Sequence, residues 1–302
     1  MIRKVLNKIR FTNNQSQIAD LIVEINQIRK KNSTIVLYGS PTEENWKGIA
    51  NATKSLFPAN AIMIPQLYSN SVFNNSETIQ ICEEIKNLKF KKIIFSGFAP
   101  YFFTWIDRLY DHVDVDIIYH GTISEFHDTN HQNFIEQLIA CGKLGKIKQY
   151  GFIKIGLAEV FKKFYGFNSF HQVLPQPLIP KNLQKIEFDK SKIHIGIFGN
   201  NTFNKNLHNQ VIHALMIDNV IVHVLDESIF HYLNLNERIV GHGKNLPYDI
   251  FLSLLASMDL NLYMSFNESY GLVASESKAI GVETLELKNT DYLMEIRSKL
   301  KL

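Results

Sequence analysis

Short apolar runs alternate along the chain with longer stretches whose apolar positions recur at helical spacing. Thr34–Tyr38, Ala61–Ile64, Lys92–Phe95, Val115–Tyr119, Phe152–Ile155 and Phe170–Leu174 read as strands of the kind buried on both faces of a parallel sheet. Helices are expected between them at Glu43–Leu56, Glu77–Leu88, Pro100–Tyr110, Phe134–Cys141 and Leu157–Tyr165. Ahead of the first strand, Ile18, Leu21, Ile22, Ile25 and Ile28 form one helical stripe. Strands alternating with helices predict a doubly wound α/β domain.

Pro175, Pro177 and Pro180 then crowd together, and proline disfavours both helix and central strand, so this stretch reads as a linker. It divides the chain into expected domains 1–178 and 179–302. The second alternating series has a strand at Ile193–Phe198 ending in Gly199, a helix at Lys205–Met216 and a strand at Val220–Leu225. Arg238–Val240 is a short strand ending in Gly241-His242-Gly243, and Pro247–Ser257 is a helix with proline in its first turn. Leu260–Met264 is the next strand, Ser265–Asn267 a loop, and a helix begins near Ser269–Gly271 and runs to Ile280, where Gly281 stops it. Val282–Leu287 is a last strand and Asp291–Leu300 a last short helix. Two Rossmann-like domains on a proline hinge are expected to enclose a cleft, with ligands at the carboxyl ends of the strands.

Composition narrows the function. A length of 302 residues, 45% of them hydrophobic and 21 of them Phe, suffices for two domains with their own cores. A net charge of +3 is too small for nucleic-acid binding to be the main task, yet leaves anionic ligands unopposed. Cys82 and Cys141 make neither a disulfide scaffold nor a zinc site, so a reducing, cytoplasmic setting is expected. No apolar run is long enough to span a bilayer, and the first residues lack the apolar core of a signal peptide. Arg3, Lys4, Lys8 and Arg10 leave peripheral association with an anionic membrane, at its inner face, open beside the simpler reading of a surface helix.

The densest chemistry lies between Asp259 and Glu286. Glu268 and Glu276 stand eight positions apart, slightly more than two helical turns. Ser269-Tyr270-Gly271 and Leu272 lie between them at the expected helix start, where backbone N–H groups attract phosphate. Two solvated helix glutamates would give the same spacing. The stretch Glu268, Tyr270-Gly271, Glu276, Ala279, Gly281 resembles the motif of retaining glycosyltransferases of the GT-B fold, specifically glycosyltransferase family 4. The resemblance is clear over about Lys192–Leu287 and loose before it.

The resemblance implies two Rossmann-like domains facing a cleft: an N-terminal one for the acceptor and a C-terminal one for a nucleotide sugar, UDP- or GDP-linked. It implies sugar transfer with retention to a glycan, lipid-linked or other acceptor, as in polysaccharide biosynthesis, with no metal and no cofactor beyond the donor. Glu268 would meet the donor sugar, Glu276 the ribose, and the amides of Ser269, Tyr270, Gly271 and Leu272 the diphosphate. Lys205 stands where the family carries a diphosphate-binding Lys. The family's Arg a few residues earlier is replaced by Asn200 or Asn201, which offer hydrogen bonds without charge. Gly241 and His242 match the strand end before the base pocket, and His120, ending Ile117–Tyr119, matches a family His near donor sugar and acceptor. The missing Arg and the short stretch after Leu287 favour a rival, a non-catalytic sugar-nucleotide-binding relative; a GT-B sugar-nucleotide epimerase is a second. Asp114-Val115-Asp116 has the form of a metal–nucleotide motif but precedes its strand, so it reads as an acidic strand start. His127, Asp128 and His131 read as a polar loop, and no nucleophile elbow or P-loop is present.

Overall fold

The computed structural model describes residues 2–40, 47–67, 70–97, 99–122, 129–177, 179–234 and 237–286. The chain divides into two compact units, Met1–Leu174 and Pro175–Leu302.

In the first unit α1 (Ile2–Arg29) precedes β1 (Thr34–Gly39), α2 (Lys47–Leu56), β2 (Ala61–Ile64), β3 (Gln66–Leu67), β4 (Asn70–Ser71), α3 (Asn75–Asn87) and β5 (Lys92–Ser96). There follow α4 (Phe102–Leu109), β6 (Asp114–Tyr119), α5 (Thr129–Lys143), β7 (Gln149–Phe152), α6 (Leu157–Tyr165) and β8 (Ser169–His171). Six strands form one parallel sheet in the order β2-β1-β5-β6-β7-β8, and β3 and β4 pair antiparallel beside it. The expected doubly wound architecture is what the chain adopts. Its core is aromatic: Tyr119 stacks on Phe134 at 5.7 Å, and Phe152 meets Phe161 at 4.5 Å. Such pairs add about 0.5–1.5 kcal/mol each beyond their burial. Cys82 and Cys141 are free and buried in this core, and burial pushes the Cys82 thiol up to about 12.

Several boundaries differ from those expected, each for a local reason. The strand placed at Phe152–Ile155 is Gln149–Phe152, because its partner β6 ends at Tyr119, opposite Phe152. Gly151 hides the strand in the sequence; it is glycine because a Cβ there would press on Phe170 and Ile118 at 3.0 and 3.1 Å. β8 stops at His171, short of Leu174. α3 starts at Asn75 rather than Glu77, because Asn74 and Glu77 form a reciprocal capping box. α5 starts at Thr129, so His131 is helical rather than in a loop. His127, Asp128, the start of the helix expected at Glu43, Leu287 and the helix Asp291–Leu300 lie outside the described residues.

In the second unit β9 (Ile193–Ile197), α7 (Leu207–Leu215), β10 (Val220–Val224), β11 (Ile239–Gly241), α8 (Tyr248–Ala256), β12 (Leu260–Tyr263), α9 (Leu272–Ile280) and β13 (Thr284–Glu286) follow in order. The five strands are parallel, arranged β11-β10-β9-β12-β13. One sheet face is aliphatic: Ile195, Ile197, Val222, Val224 and Leu262 pack with Leu207, Val211 and Leu215 of α7. The alternate positions, His194, Gly196, His223, Asn261 and Tyr263, face the other way, where Asn261 Nδ2 donates to the Leu255 carbonyl of α8 and the Ser277 hydroxyl of α9. Ile179 of the proline-rich segment, with Leu183 and Phe188 beyond it, packs against the cluster that holds Leu252, Leu254 and Leu255, and the chain from Pro175 on falls in this unit.

The capping box gives a stability prediction. Asn74→Ala is expected to lower the stability of the first unit by about 1 kcal/mol. Denaturant unfolding followed by tryptophan fluorescence measures it, since Trp105 is buried in the core of that unit. An unchanged midpoint would remove the cap from the account.

Candidate functional site

The loops that follow β9 and β12, neighbours in the sheet, are stitched together. The Phe266 amide donates to the Asn204 carbonyl at 2.7 Å, and Asn206 Nδ2 donates to the Met264 carbonyl at 3.1 Å. Gln210 of α7 uses both ends of its amide: Oε1 accepts from the Met264 amide at 3.0 Å, and Nε2 donates to the Lys205 carbonyl at 2.8 Å. The helix expected from Lys205 is interrupted. Phe203–Lys205 is a 3-10 turn, Asn206 takes a left-handed conformation (φ 54°), and α7 begins only at Leu207. Asparagine tolerates that conformation better than most residues. The break leaves Lys205 on a loop rather than a helix and lets its side chain cross to the other loop.

There Lys205 Nζ meets both oxygens of Glu268, at 2.6 and 2.8 Å. Glu268 is buried and the Lys205 side chain is one-fifth exposed. A buried carboxylate requires such a partner, because the cost of desolvating it alone is several kcal/mol. Tyr263, the last residue of β12, completes the group. Its hydroxyl hydrogen-bonds Glu268, its ring lies 5.6 Å from Lys205 Nζ, and burial beside the two glutamates raises its phenol well above the usual range. Tyr263 is absent from the sequence reading. Nothing in the run Leu260–Tyr263 separates it from an ordinary apolar strand end.

Glu276 sits on the second turn of α9, buried, and accepts a 2.8 Å hydrogen bond from the Tyr248 hydroxyl of α8. Desolvation raises its carboxyl to about 7, against the lowering effect of that hydrogen bond. α9 begins at Leu272, slightly later than expected. Gly271 precedes it at φ 84°, with the Tyr263 ring 3.3 Å from where a Cβ would stand. No side chain caps this end. The first N–H groups of a helix have no intrahelical partner, so the free donors are those of Leu272 and its successors, while Ser269 and Tyr270 lie in the preceding bend.

Asn200 and Asn201 are exposed at the outer part of the turn after β9. Gly241 ends β11, and the Glu227 carboxylate occupies the space a Cβ would need there. His242, next to it, bonds inward to His223. His120 lies in the first unit at the end of β6, buried, with Nε2 3.0 Å from the Ser96 hydroxyl, which in turn bonds Thr53 at 2.7 Å. Burial lowers its pKa to about 4, so the ring is neutral. Asp116 pairs with Lys92 at 2.6 Å at the start of β6, away from the carboxyl ends of the strands. Among the described residues no cluster of side chains is arranged to hold a metal ion.

Glu276 makes stability depend on pH. Its folded pKa exceeds the ordinary carboxylate value of 4.5, so between 4.5 and about 7 the folded state holds the extra proton. Stability therefore falls as pH rises through that window. Glu276→Gln is expected to flatten this segment of the profile and to be the more stable form at pH 8, read by thermal unfolding at fixed pH. A variant less stable than the parent at pH 8 would contradict it.

No family model matches the chain, and no curated protein sequence does. Solved structures do. The Anabaena protein Alr3699/HepE, in complex with UDP and glucose, matches with a TM-score of 0.57 and 14% identity, over 86% of this chain and 82% of its own. WaaG, a glycosyltransferase involved in lipopolysaccharide biosynthesis, matches with 0.56 and 15%, over 87% and 84%. Trehalose-6-phosphate synthase, studied with bisubstrate glycomimetics for glycosyltransfer with retention, matches with 0.55 and 12%, over 87% and 86%. At such identities the likeness is one of fold: the chain has the α/β architecture of GT-B glycosyltransferases.

Proposed function

We propose that the chain is a glycosyltransferase that takes a sugar from a nucleotide-sugar donor, UDP- or GDP-linked, and passes it with retention to a glycan or lipid-linked acceptor without a metal. The observation that carries this reading is the Lys205–Glu268 pair, set beside the uncapped start of α9 at the carboxyl ends of β9 and β12. A leaving diphosphate needs positive charge where its own charge develops. The Lys205 ammonium and the Leu272, Val273 and Ala274 amides supply it. The sugar hydroxyls then give Glu268 the hydrogen bonds it gives up as Lys205 turns to phosphate. The bond from the anomeric carbon to the phosphate oxygen breaks, and the acceptor oxygen bonds to that carbon on the same face. The acceptor's proton passes to the diphosphate. Glu276, with a carboxyl poised near neutrality, takes the ribose hydroxyls. By the resemblance the first unit takes the acceptor, and His120, a neutral imidazole there, belongs to that unit's share of the reaction.

The neighbours support this choice: one was solved with UDP and glucose, and another was studied for transfer with retention. No described helix is long and apolar enough to cross a membrane. A cytoplasmic place, with peripheral attachment through the basic start of α1, belongs to the same proposal. The rival of a non-catalytic sugar-nucleotide binder draws on Asn200 and Asn201 standing where an arginine would add charge; donor hydrolysis without acceptor separates it from an enzyme. Product analysis separates the epimerase.

Calorimetric titration with UDP and GDP in EDTA is expected to give the same affinity as with magnesium or manganese. Binding lost to EDTA and restored by either ion would overturn the metal-free reading.

The charged groups separate by kinetics. Lys205→Gln keeps a donor to Glu268 and removes the charge; it is expected to weaken diphosphate binding roughly ten- to a hundredfold, the weight of a charge-assisted contact of about 1.5–3 kcal/mol. Glu268→Gln is expected to lower kcat most and leave diphosphate affinity nearly intact. Glu276→Gln is expected to weaken that affinity and change kcat less. Equal losses of diphosphate affinity in the two glutamate variants would mean the roles are wrongly assigned.

A further inference from the structure

Three histidines from three neighbouring strands form one hydrogen-bonded chain. His194 is the second residue of β9, His223 the fourth of β10, and His242 the first beyond β11. Parallel register sets His223 two residues further along its strand than His194, and His242 beyond that, so the chain climbs the sheet toward its carboxyl end. His194 Nε2 is 3.0 Å from the Asp189 carbonyl. His194 Nδ1 is 2.8 Å from His223 Nε2, and His223 Nδ1 is 2.8 Å from His242 Nε2. The Phe188 ring covers the first two imidazoles, at 4.9 and 4.6 Å.

A single arrangement of protons satisfies all three contacts in the neutral rings. A carbonyl only accepts, so His194 carries its proton on Nε2 and leaves Nδ1 as an acceptor. His223 must then donate from Nε2 and accept at Nδ1, which forces the proton of His242 onto Nε2. Burial favours the neutral form of two of the rings: His223 is lowered to about 3, and His242 is held below the ordinary histidine value. Each donated bond also polarises the next ring. What emerges at the strand end is His242 Nδ1, a lone pair with no hydrogen-bond partner among the described residues, flanked by Gly241 and by Gly243 at φ 89°.

We propose that this chain is a tautomer lock, which holds His242 with its N–H inward and presents Nδ1 as a hydrogen-bond acceptor to an N–H group of the donor's nucleobase. The proposal rests on the nucleotide-sugar reading of the same unit and adds His194 and His223 as positioning residues. Protonation of Nδ1 turns the acceptor into a donor, so the contact is present above the pKa of His242 and lost as pH falls through it. The charged groups around the ring are the Glu227 carboxylate, which favours the protonated form, the Asp226–Lys244 pair at 3.0 Å, and the neutral His223 behind it.

Two measurements test the lock. Long-range nitrogen–proton NMR of the imidazoles at pH 7.5, on the free protein, is expected to show Nε2–H for all three rings. A protonated Nδ1 on His242 would overturn the lock whatever the protein binds. Calorimetry with UDP and GDP then tests its use. His223→Leu is expected to weaken the tighter of the two roughly three- to tenfold, the range of one hydrogen bond. His223→Gln, whose amide accepts and donates in the same direction, is expected to restore it. Lowering the pH from 7.5 through the His242 titration, located by the same NMR, is expected to weaken binding more in the parent than in His242→Asn, whose carbonyl accepts without titrating. Equal pH dependence in those two proteins, both carrying the same diphosphate and the same Glu276, would overturn the acceptor while leaving the nucleotide reading standing. Failure of both nucleotides to bind the parent would overturn that reading and, with it, the acceptor's task.

Discussion

A buried carboxylate must be neutralised where it lies, and in the second unit that requirement is met by Lys205 reaching across from another strand's loop to Glu268. The other contacts between the loops serve the same registration. Gln210 bridges them from α7, Asn204 and Asn206 bond the backbone after β12, and Tyr263 supports the carboxylate from below. These bonds form only because β9 and β12 are adjacent in the sheet although far apart in the chain. The free start of α9 is held beside the pair by Gly271, whose conformation other residues rarely adopt.

The two units stabilise their sheets by different means. The first buries aromatic rings against one another. The second sets an aliphatic face toward α7 and concentrates its buried polar groups on the opposite face, where His194, His223, Asn261 and Tyr263 all lie. Buried polar groups are stabilising only when their bonds are made, and a partly satisfied network costs more than an apolar one. The fixed direction of the imidazole chain and the Asn261 bridge to α8 and α9 are therefore constraints on which sequences this sheet accepts.

The strands were legible in the sequence because parallel strands buried on both faces are short apolar runs, and the helices because their apolar positions recur at helical spacing. β7 starts three residues before the apolar run Phe152–Ile155, since Lys148, Gln149 and Gly151 interrupt its apolar pattern and only pairing with β6 sets its limits. β3 and β4, with two residues each, carry no periodicity to read. Glu268, Glu276 and Lys205 stand out in the sequence by their motif, yet the ion pair between two of them does not, because spacing along a chain carries no information on which loop tips meet. Tyr263 and the histidine chain escaped for the same reason. His194 and His223 sit in ordinary strands and His242 one residue beyond a third, and strand register alone brings the three into line.

The stitching of the two loops also determines what can be exchanged between related chains. Gln210, Asn206 and Asn204 satisfy backbone groups of the opposite loop, so replacing either loop alone would leave amides and carbonyls of the other without partners. A transplant that altered the ligand preference of this unit would have to carry Gly199–Gln210 together with Met264–Leu272. For recombination, whether in a laboratory or in a genome, the heritable module is this discontinuous pair of segments, and a crossover between them separates halves that fit only each other.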